Sequence, residues 1–525
     1  MADSSNESLL QVPCDYEYPS IERLPSHYNP LHTFDLPKGE KKHYQQQYAD
    51  MYFLRLAQLK PAVEELAAAA WSEFEVGGEK VRKVDRVLDV RQGDVCWVAG
   101  TIYMDMPLKP NILDDIAKDH MISVPPSREK YRSASGEDLI MLEDESGRLR
   151  LIGMTLQSSM LVTGCIVAVM GSENADGDFE IIDLKVPDLP HQPPRWERDD
   201  NSTVKQNGTG NKSRQGTQQD RPSGGKIAIV SGLGISGDEV DSLTLDLLME
   251  YLLGEACGVS EGQKAASISR LIIAGNALDE AVPLLSRDDL ASKKSNKKYG
   301  YDSAAYNPAP TAHLDNFLAT LLPSIPITLI PGDSDPANVS LPQQPMHTAL
   351  FPRSRAYSTL PDSKAPRWFD STTNPWQGDI DGWRFMGTGG QPVDDIFKYV
   401  EGDDRIEMME NLLRWRCAAP TAPDTLCKYT HAKYCNPRLE ADCFFTGAYP
   451  YQEKDQFVIT ECPHVYFVGN QPKFDTTVIE GPDAQSVRLI AVPKFKETGE
   501  LILLDADTLE VETIKFDSLD DGSGF

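Results

Sequence analysis

The spacing of apolar residues changes along the chain, and the first stretch with a clear period is helical. Between residues 40 and 75, apolar side chains recur at intervals of three and four, which predicts an amphipathic helix. Pro61 falls inside this stretch and suits the first turn of a helix that starts again there. The helix is expected to pack on the domain that follows it. The positions that define the pattern are Tyr48, Met51, Tyr52, Leu56, Leu59, Val63, Leu66 and Trp71.

From Lys83 to Leu184 apolar and polar residues alternate, which is the period of strands with one buried face. The tetrapeptide Asp144-Glu145-Ser146-Gly147 is typical of a hairpin turn. Glycines at positions 100, 164 and 171 suit the sharp bends of a small closed barrel, and an OB-like barrel is the economical choice at this size. The predicted strands are Lys83–Val90, Val95–Met104, Asp138–Glu143, Arg148–Gly153, Val162–Met170 and Phe179–Leu184.

After a polar stretch, 199–225, that lacks the apolar residues needed to bury surface, strands and helices alternate. This order is typical of a layered α/β domain. Strands are predicted at Ile227–Ser231, Leu271–Ala274, Ile327–Ile330 and Val465–Val468, and helices at Val240–Leu253 and 314–322. The tail residues Val487–Val492, Leu501–Leu504 and Leu509–Phe516 are interpreted as antiparallel strands.

The fold class is therefore predicted to be α/β plus β, with an N-terminal OB-like barrel followed by a layered α/β domain. The chain length of 525 residues agrees with more than one domain, because a single core rarely grows so large. Four parts are expected: an N-terminal segment and helix packing on the barrel (1–80), the barrel (81–190), a flexible linker (191–225) and the α/β domain (226–525).

The charge balance narrows the possible partners. The chain has 51 basic and 80 acidic residues and a formal charge of −29, which opposes extensive binding to a phosphate backbone. No signal peptide and no apolar run long enough for a membrane helix is found, so a soluble intracellular protein is expected. The odd number of cysteines, nine, fits reduced thiols better than a disulfide framework.

Glycine follows four of the predicted strands at the point where α/β sheets bind ligands, the carboxyl end of the strand. Glycine permits tight turns and close backbone approach, which suits a metal or phosphate site. The loops are Ser231-Gly232-Leu233-Gly234, Gly275-Asn276-Ala277-Leu278-Asp279, Gly332-Asp333-Ser334-Asp335 and Gly469-Asn470-Gln471-Pro472.

This set of turns resembles the calcineurin-like metallophosphoesterases, which carry D-x-H, G-D-x-x-D, G-N-H-D/E and G-H-x-H at the corresponding strand ends. In that family the carboxylates and imidazoles hold two metal ions that clamp a phosphoester. Here the turns match, but Asp279 alone keeps the expected type in the second motif, and no imidazole remains. The resemblance implies an inactive domain without metal or cofactor. The degenerate positions are Ser231, Leu233, Asn276, Asp279, Asp333, Ser334, Asn470 and Pro472.

Longer segments resemble the B subunits of eukaryotic replicative DNA polymerases, most closely those of the delta complex and less closely those of alpha or epsilon. The resemblance covers nearly the whole chain, from the helix at Tyr44 to Phe516, and departs mainly between Lys428 and Gln456, where this chain is longer. The segments that carry the resemblance are Ile330–Pro336, Gly387–Ile396, Ala419–Leu426 and Cys462–Pro472.

The resemblance implies a non-catalytic scaffold in DNA replication and repair synthesis, located in the nucleus. B subunits of this family bind the cysteine-rich C-terminal region of the catalytic subunit. In the delta complex they also bridge to a clamp-binding accessory subunit, so contact with the sliding clamp and DNA would be indirect. No membrane contact is expected.

Four features stay open to other interpretations at this stage. The α/β domain could be a metal-dependent phosphodiesterase with atypical ligands. The barrel could bind single strands through Trp97, Tyr103, Arg148 and Arg150, although acidic residues surround them. A zinc site could form among Cys427, His431, Cys435 and Cys443, with Cys462 and His464 beyond, but no C-x-x-C pair occurs and ordinary thiols are favoured. The basic run 292–298 fits either an import signal or a solvated loop.

Overall fold

A computed structural model describes most of the chain. The basic run 292–298, the group from Cys427 to Cys443, and most of the linker and of the 428–456 segment lie outside the described residues. No helix in the described part is long and apolar enough to cross a membrane. The described ranges are 22–37, 49–76, 78–109, 129–133, 136–195, 225–237, 242–255, 259–279, 307–338, 340–358, 368–426 and 454–517.

The chain begins with a short strand, β1 (Tyr28–Leu31), and a long helix, α1 (Ala49–Trp71). The predicted helix is confirmed, but its predicted restart at Pro61 is wrong because the helix runs through that residue. Pro61 and Ala57, whose carbonyl loses its helical donor, are both exposed, so water can satisfy the freed carbonyl.

The barrel is formed by five strands and preceded by short extended segments. Its strand order is β5-β6-β7-β9-β8, and pairing of β5 with β8 closes it. The predicted strand Lys83–Val90 is mostly a loop, because the Val87 N–H donates to Asp144 Oδ2 at 2.8 Å instead of to a strand. The elements are β2 (Glu75–Val76), β3 (Glu79–Lys80), β4 (Arg82–Lys83), β5 (Val95–Asp105), β6 (Leu139–Glu143), β7 (Arg148–Ile152), α2 (Thr155–Ser158), β8 (Ile166–Glu173) and β9 (Phe179–Lys185).

Helix α1 covers one outer face of this barrel. Its buried residues Leu59, Val63 and Trp71 form a cluster with Trp97 and Ala99 of β5. The Trp71 and Trp97 rings lie 5.9 Å apart, and Trp71 Nε1 donates to Asp183 Oδ2 at 2.9 Å. The apolar stripe of the helix is therefore explained by burial against the barrel.

The second domain contains the remaining helices and strands. They are β10 (Lys226–Val230), α3 (Ser242–Leu253), α4 (Val259–Ala266), β11 (Ile268–Ala274), α5 (Ala309–Leu321), β12 (Ile327–Ile330), β13 (Phe369–Ser371), β14 (Trp376–Ile380), β15 (Trp383–Thr388), α6 (Gln391–Tyr399), α7 (Arg405–Arg414), β16 (Val465–Gln471), β17 (Asp475–Glu480), β18 (Ser486–Pro493), α8 (Phe495–Thr498), β19 (Glu500–Asp505) and β20 (Val511–Lys515).

These strands, together with β1, form two six-stranded mixed sheets that pack face to face. One sheet has the order β13-β12-β11-β10-β19-β20 and the other β1-β14-β15-β16-β18-β17. Strands β10 to β13 are parallel, as are β15, β16 and β18. The tail prediction is right for β19 and β20, whereas β18 is parallel to β16 and antiparallel only to β17. A cluster that includes Ile229, Ile272, Phe385, Phe467 and Ile490 fills the space between the sheets.

Residues 22–37 pair with the second domain, although the sequence predicts a segment within 1–80 that packs on the barrel. Strand β1 pairs antiparallel with β14 at an edge of the second domain. Tyr28 Oη donates to Asp370 Oδ2 at 2.5 Å, and Arg23 Nη1 donates to Ala265 O at 2.6 Å, so the segment crosses from one sheet to the other. Helix α1 packs on the barrel.

Residues 191–195, predicted as linker, are held against the second domain. The His191 carbonyl accepts the Cys462 N–H at 2.9 Å, and Gln192 exchanges hydrogen bonds with Ser486. The ends of the intervening polar segment meet at one residue, because Arg195 donates to Ala506 O at 3.2 Å and the Ala506 N–H donates to Gly225 O at 3.1 Å. The segment therefore connects two neighbouring points on the same domain.

Replacing residues 199–222 with a short Gly-Ser loop is expected to leave the midpoint of thermal unfolding unchanged. The ends already meet, and loop-closure free energy changes by only about 0.6 kcal/mol for each doubling of length. Differential scanning fluorimetry of both chains would measure the midpoint. A marked fall in the shortened chain would show that this segment supplies stabilising contacts.

The barrel and the second domain share one continuous hydrophobic core. The barrel residues Ile102 and Phe179 belong to the same buried cluster as Met408 and Trp415 of the second domain. Domains in one chain usually move relative to each other unless their interface is large and apolar. Here the shared core fixes the orientation of the barrel on the second domain.

Candidate functional site

The crevice at the carboxyl ends of the central strands is closed by backbone. A Cβ atom on Gly275 would lie 2.8 Å from the Gly389 Cα and 3.3 Å from the Gly332 Cα. A Cβ on Gly469 would lie 2.0 Å from the Ala274 carbonyl oxygen. Glycine is therefore required here because loops from the two sheets touch through their main chains.

Two of the degenerate positions, Ser231 and Asn470, join the two sheets directly. Ser231 Oγ donates to Ala274 O at 2.8 Å and accepts the Asn470 N–H at 2.7 Å. Asn470 has a left-handed backbone with φ of 58°, and its Nδ2 donates to Gly389 O at 2.8 Å. Asn470 Oδ1 is buried without a hydrogen-bond partner. Both side chains thus bridge strand ends and hold them together.

Asn276 and Ser334 lie at the next pair of strand ends, around a buried carboxylate. Asn276 Oδ1 accepts the Ser334 N–H at 3.2 Å, and Ser334 Oγ donates to Leu278 O at 2.5 Å. Asp335 accepts backbone N–H groups of Ala277, Leu278 and Gly332 at 3.2, 2.9 and 2.7 Å. Burial raises the pKa of the Asp335 carboxyl, and these donors oppose the shift.

Three further amides complete the arrangement, and sequence reasoning missed them as site residues. Asn374 Nδ2 donates to Gln343 Oε1 at 2.8 Å and to Gln391 Oε1 at 2.9 Å, and its Oδ1 accepts the Gly389 N–H at 3.0 Å. Gln343 Nε2 donates to Gly332 O at 3.0 Å. A usable sign in the sequence is Asn374 directly before a proline and Gln391 directly after two glycines. We call the five amide side chains Asn276, Gln343, Asn374, Gln391 and Asn470, together with the hydroxyl of Ser231, the amide network.

The other four degenerate positions lie apart from this network. Leu233 is buried in the hydrophobic cluster on the far side of the first sheet. Asp279 is half-exposed and accepts from Lys496 Nζ at 2.9 Å. Asp333 and Pro472 are exposed. The structure therefore brings together Ser231, Asn276, Ser334 and Asn470, and leaves Leu233, Asp279, Asp333 and Pro472 outside.

The chemistry of the crevice is that of a neutral hydrogen-bonded junction. A two-metal site needs several carboxylates and imidazoles directed at the same two points. The amide network offers neutral groups, and the buried carboxylate of Asp335 beside it is engaged by backbone donors. Among the residues described, no three His, Cys, Asp or Glu side chains are grouped so that they could hold a metal ion.

Cys462 and His464, from the candidate zinc group, are both buried and have structural roles. Burial raises the pKa of the Cys462 thiol to about 12, which keeps it protonated at neutral pH. His464 Nδ1 accepts the Arg384 N–H at 3.0 Å, and burial lowers the pKa of its ring to about 4. Neither group is arranged as a ligand.

A buried clamp joins helix α1, the barrel and the second domain. Arg55 is fully buried, and its Nε donates to Asp455 Oδ2 at 2.7 Å. Its Nη1 donates to Pro420 O at 2.6 Å and its Nη2 to Ala422 O at 2.9 Å. A Cβ on Gly164 of the barrel would lie 2.0 Å from Pro420 O, so the barrel touches the same loop. We call Arg55, Asp455 and residues 419–422 the Arg55 clamp.

Two further contacts fix the same orientation. Lys130 Nζ donates to the carbonyls of Phe397 and Val400 at 2.8 and 3.0 Å, at the C-terminal end of α6. Arg414 of α7 pairs with Asp188 at 2.5 Å, directly after the last barrel strand. Cations at helix C-termini are favourable because they satisfy free carbonyls there.

The four barrel residues considered for single-strand binding form no continuous platform. Trp97 is buried under α1 and 4% exposed. Tyr103 stacks under Arg148, with the guanidinium 4.4 Å from the ring centre. Arg148 and Arg150 are paired with Glu143 and Asp178 at 3.2 and 3.7 Å. Bases stack on exposed aromatic rings within a basic groove, and neither feature is available here.

Comparison with known proteins agrees with this architecture. The family model described as DNA polymerase delta subunit OB-fold domain matches residues 47–184, which include the barrel. The family model for the B subunit of DNA polymerase alpha/epsilon matches residues 227–476 of the second domain. Together the two models indicate the class of DNA polymerase B subunits.

Curated relatives narrow the class. The chain is 34% identical to the DNA polymerase delta small subunit of Arabidopsis thaliana, over 94% of this chain and 96% of the relative. It is 32% identical to that of Saccharomyces cerevisiae, over 93% of each chain, and 30% identical to DNA polymerase delta subunit 2 of Drosophila melanogaster, over 94% and 98%. The chain belongs to the DNA polymerase delta small subunit family. The predicted resemblance to B subunits and the predicted OB barrel are thereby confirmed.

Proposed function

We propose that this chain is a non-catalytic scaffold subunit of DNA polymerase delta, and that it holds two partner subunits at a fixed geometry. The observation that carries the proposal is the continuous core and the Arg55 clamp, which lock the barrel to the second domain. A rigid body with two docking surfaces raises the effective concentration of each partner for the other. Its charge of −29 suits basic partner surfaces.

The second domain is proposed to be a calcineurin-like phosphoesterase domain that has lost its metal site. Support comes from the glycine turns, which persist at the strand ends, and from the amide network in place of metal ligands. Revised domain boundaries are part of this proposal and concern the described residues. Those of 22–37, 191–195 and 225–517 are assigned to the second domain, and α1 with those of 81–190 to the barrel unit.

The partners proposed are the cysteine-rich C-terminal region of the catalytic subunit and a clamp-binding accessory subunit. Contact with the sliding clamp and with DNA would pass through them, and the complex would act in the nucleus. The mixed charges of the described barrel surface, where Arg148 and Arg150 are each paired with a carboxylate, favour protein docking over direct strand binding.

Co-expression with the C-terminal region of a delta catalytic subunit is expected to give a stoichiometric complex on size exclusion. The same preparation is expected to contain no stoichiometric manganese, iron or zinc beyond what the partner binds alone, and to leave bis-p-nitrophenyl phosphate intact. Elemental analysis and absorbance would measure both. Two metals bound to the isolated chain, with turnover of the diester, would establish the phosphodiesterase alternative and overturn the scaffold proposal.

A further inference from the structure

A pocket lies where helix α1 meets the open face of the barrel. It has a volume of about 170 Å³, which is room for one large side chain. Its walls include Tyr52, Phe53 and Leu56 of α1 and Tyr103 of β5. Phe53 is 48% exposed although it lies beside the shared core, so an apolar ring stands at the mouth of the pocket. We call this the helix–barrel pocket.

The rim of the helix–barrel pocket is acidic. Glu143, Asp144 and Asp424 line it, and Arg148 is the one cationic residue among the lining residues. Burial, together with the nearby carboxylates of Asp424 and Glu143, raises the pKa of Tyr52 well above its usual value. The Asp144 carboxylate accepts hydrogen bonds from the backbone N–H groups of Val87 and Ser146, which stabilise its charged form and fix its position. The pocket therefore has aromatic walls and a surplus of negative charge.

The chain's own cations already use these surfaces. Arg148 lies 4.4 Å from the centre of the Tyr103 ring and pairs with Glu143 at 3.2 Å. Lys109 lies 4.9 Å from the same ring and pairs with Asp424. A cation over an aromatic face is attracted by the ring quadrupole, and a carboxylate beside it adds to the attraction. Arg148 lines the pocket and Lys109 does not, and a volume of about 170 Å³ stays open beside these pairs.

We propose that the helix–barrel pocket binds an arginine or lysine side chain from a basic segment of a partner protein. The aliphatic stem would pack on Phe53 and Leu56, and the charged end would reach Glu143 and Asp424. Long basic side chains bury an apolar stem while the charged group remains near polar partners. A nucleic acid is disfavoured as occupant because three carboxylates at the rim repel phosphate.

The side-chain specificity can be tested on the isolated full-length chain. The probes are N-acetyl-arginine methylamide and its neutral isostere N-acetyl-citrulline methylamide, observed by saturation-transfer NMR. The arginine signal is expected to exceed the citrulline signal at least threefold. It should disappear in Phe53→Ser and persist in Phe74→Ser, since Phe74 is comparably exposed at 44% but lies beyond the other end of α1. Equal signals from both probes, no signal from either, or retention in Phe53→Ser would overturn the proposal.

A second experiment rests on the proposed function, because it uses assembly with polymerase subunits. Phe53→Ser and Glu143→Gln are expected to weaken binding of at least one partner subunit about tenfold or more, with a weaker salt dependence for Glu143→Gln. Phe74→Ser should bind as the unmodified chain does. If the unmodified chain fails to assemble, the proposed function is wrong. If it assembles and both pocket variants assemble equally well, the pocket is not a docking site.

Discussion

Arg55→Ala is expected to lower the free energy of unfolding by about 3–5 kcal/mol, as removal of one member of a buried ion pair generally does. Asp455, 1% exposed, would be left charged and unpaired. The carbonyls of Pro420 and Ala422 would lose their donors as well, which adds the cost of unsatisfied buried acceptors. Urea denaturation followed by circular dichroism would measure the change.

The matched control is Arg82→Ala, which removes a surface pair with Asp94 at 3.4 Å where both side chains are about half exposed. Exposed pairs contribute little, so the control should unfold at nearly the same urea concentration as the unmodified chain. Arg55→Lys should rescue only part of the loss, because a lysine cannot form the fork of bonds that Arg55 makes. Equal midpoints for Arg55→Ala and the control would show that the clamp does not stabilise the joint.

The Arg55 clamp also explains the Ala419–Leu426 segment, which the sequence could mark only as typical of a family. Its carbonyls accept hydrogen bonds from the Arg55 guanidinium, and its Thr425 hydroxyl donates to Asp395 at 2.7 Å. The segment is therefore a structural joint between the barrel and the second domain.

The helices and strands that the sequence predicts correctly are those whose apolar residues follow a local pattern. Helix α1 and most barrel strands are predictable from their period of three to four or of two, and β10, β11 and β12 from their short, continuously apolar runs. The break at Lys83–Val90 was missed because a single distant acceptor, Asp144, captures the Val87 N–H. The strand propensity of residues 83–90 carries no information about a hydrogen bond to a residue so far along the chain.

Long-range pairing escaped prediction for the same reason. Strand β1 joins a sheet through residues more than three hundred positions later, and Tyr28 and Asp370 carry no mark that links them. At the crevice, the sequence could show that Ser231, Leu233 and Asn470 are unsuited to bind a metal ion. It could not show the hydrogen bonds made there, because the partners of Asn374 lie on two other loops, one with Gln343 and one with Gly389 and Gln391.

The crevice is a structural joint between the two sheets. Its glycines permit close approach of loops that carry the strand ends. Ser231 and Asn470 link the ends of the two sheets, because the Asn470 N–H donates to Ser231 Oγ at 2.7 Å. Close packing therefore requires glycine at these positions, and a substitution that adds a methyl group should destabilise the fold.

Gly469→Ala is expected to destabilise the fold by about 3 kcal/mol or more, at the upper end of the usual cost of overpacking. The added Cβ would lie 2.0 Å from Ala274 O and 2.6 Å from Ser231 Oγ, so the backbone of the opposite sheet must move. Gly402→Ala is the control, because its nearest neighbour lies 4.0 Å away. Thermal and urea unfolding would measure both. Equal stability of the two variants would mean that the sheets separate freely at the crevice, and that the amide network does not hold them.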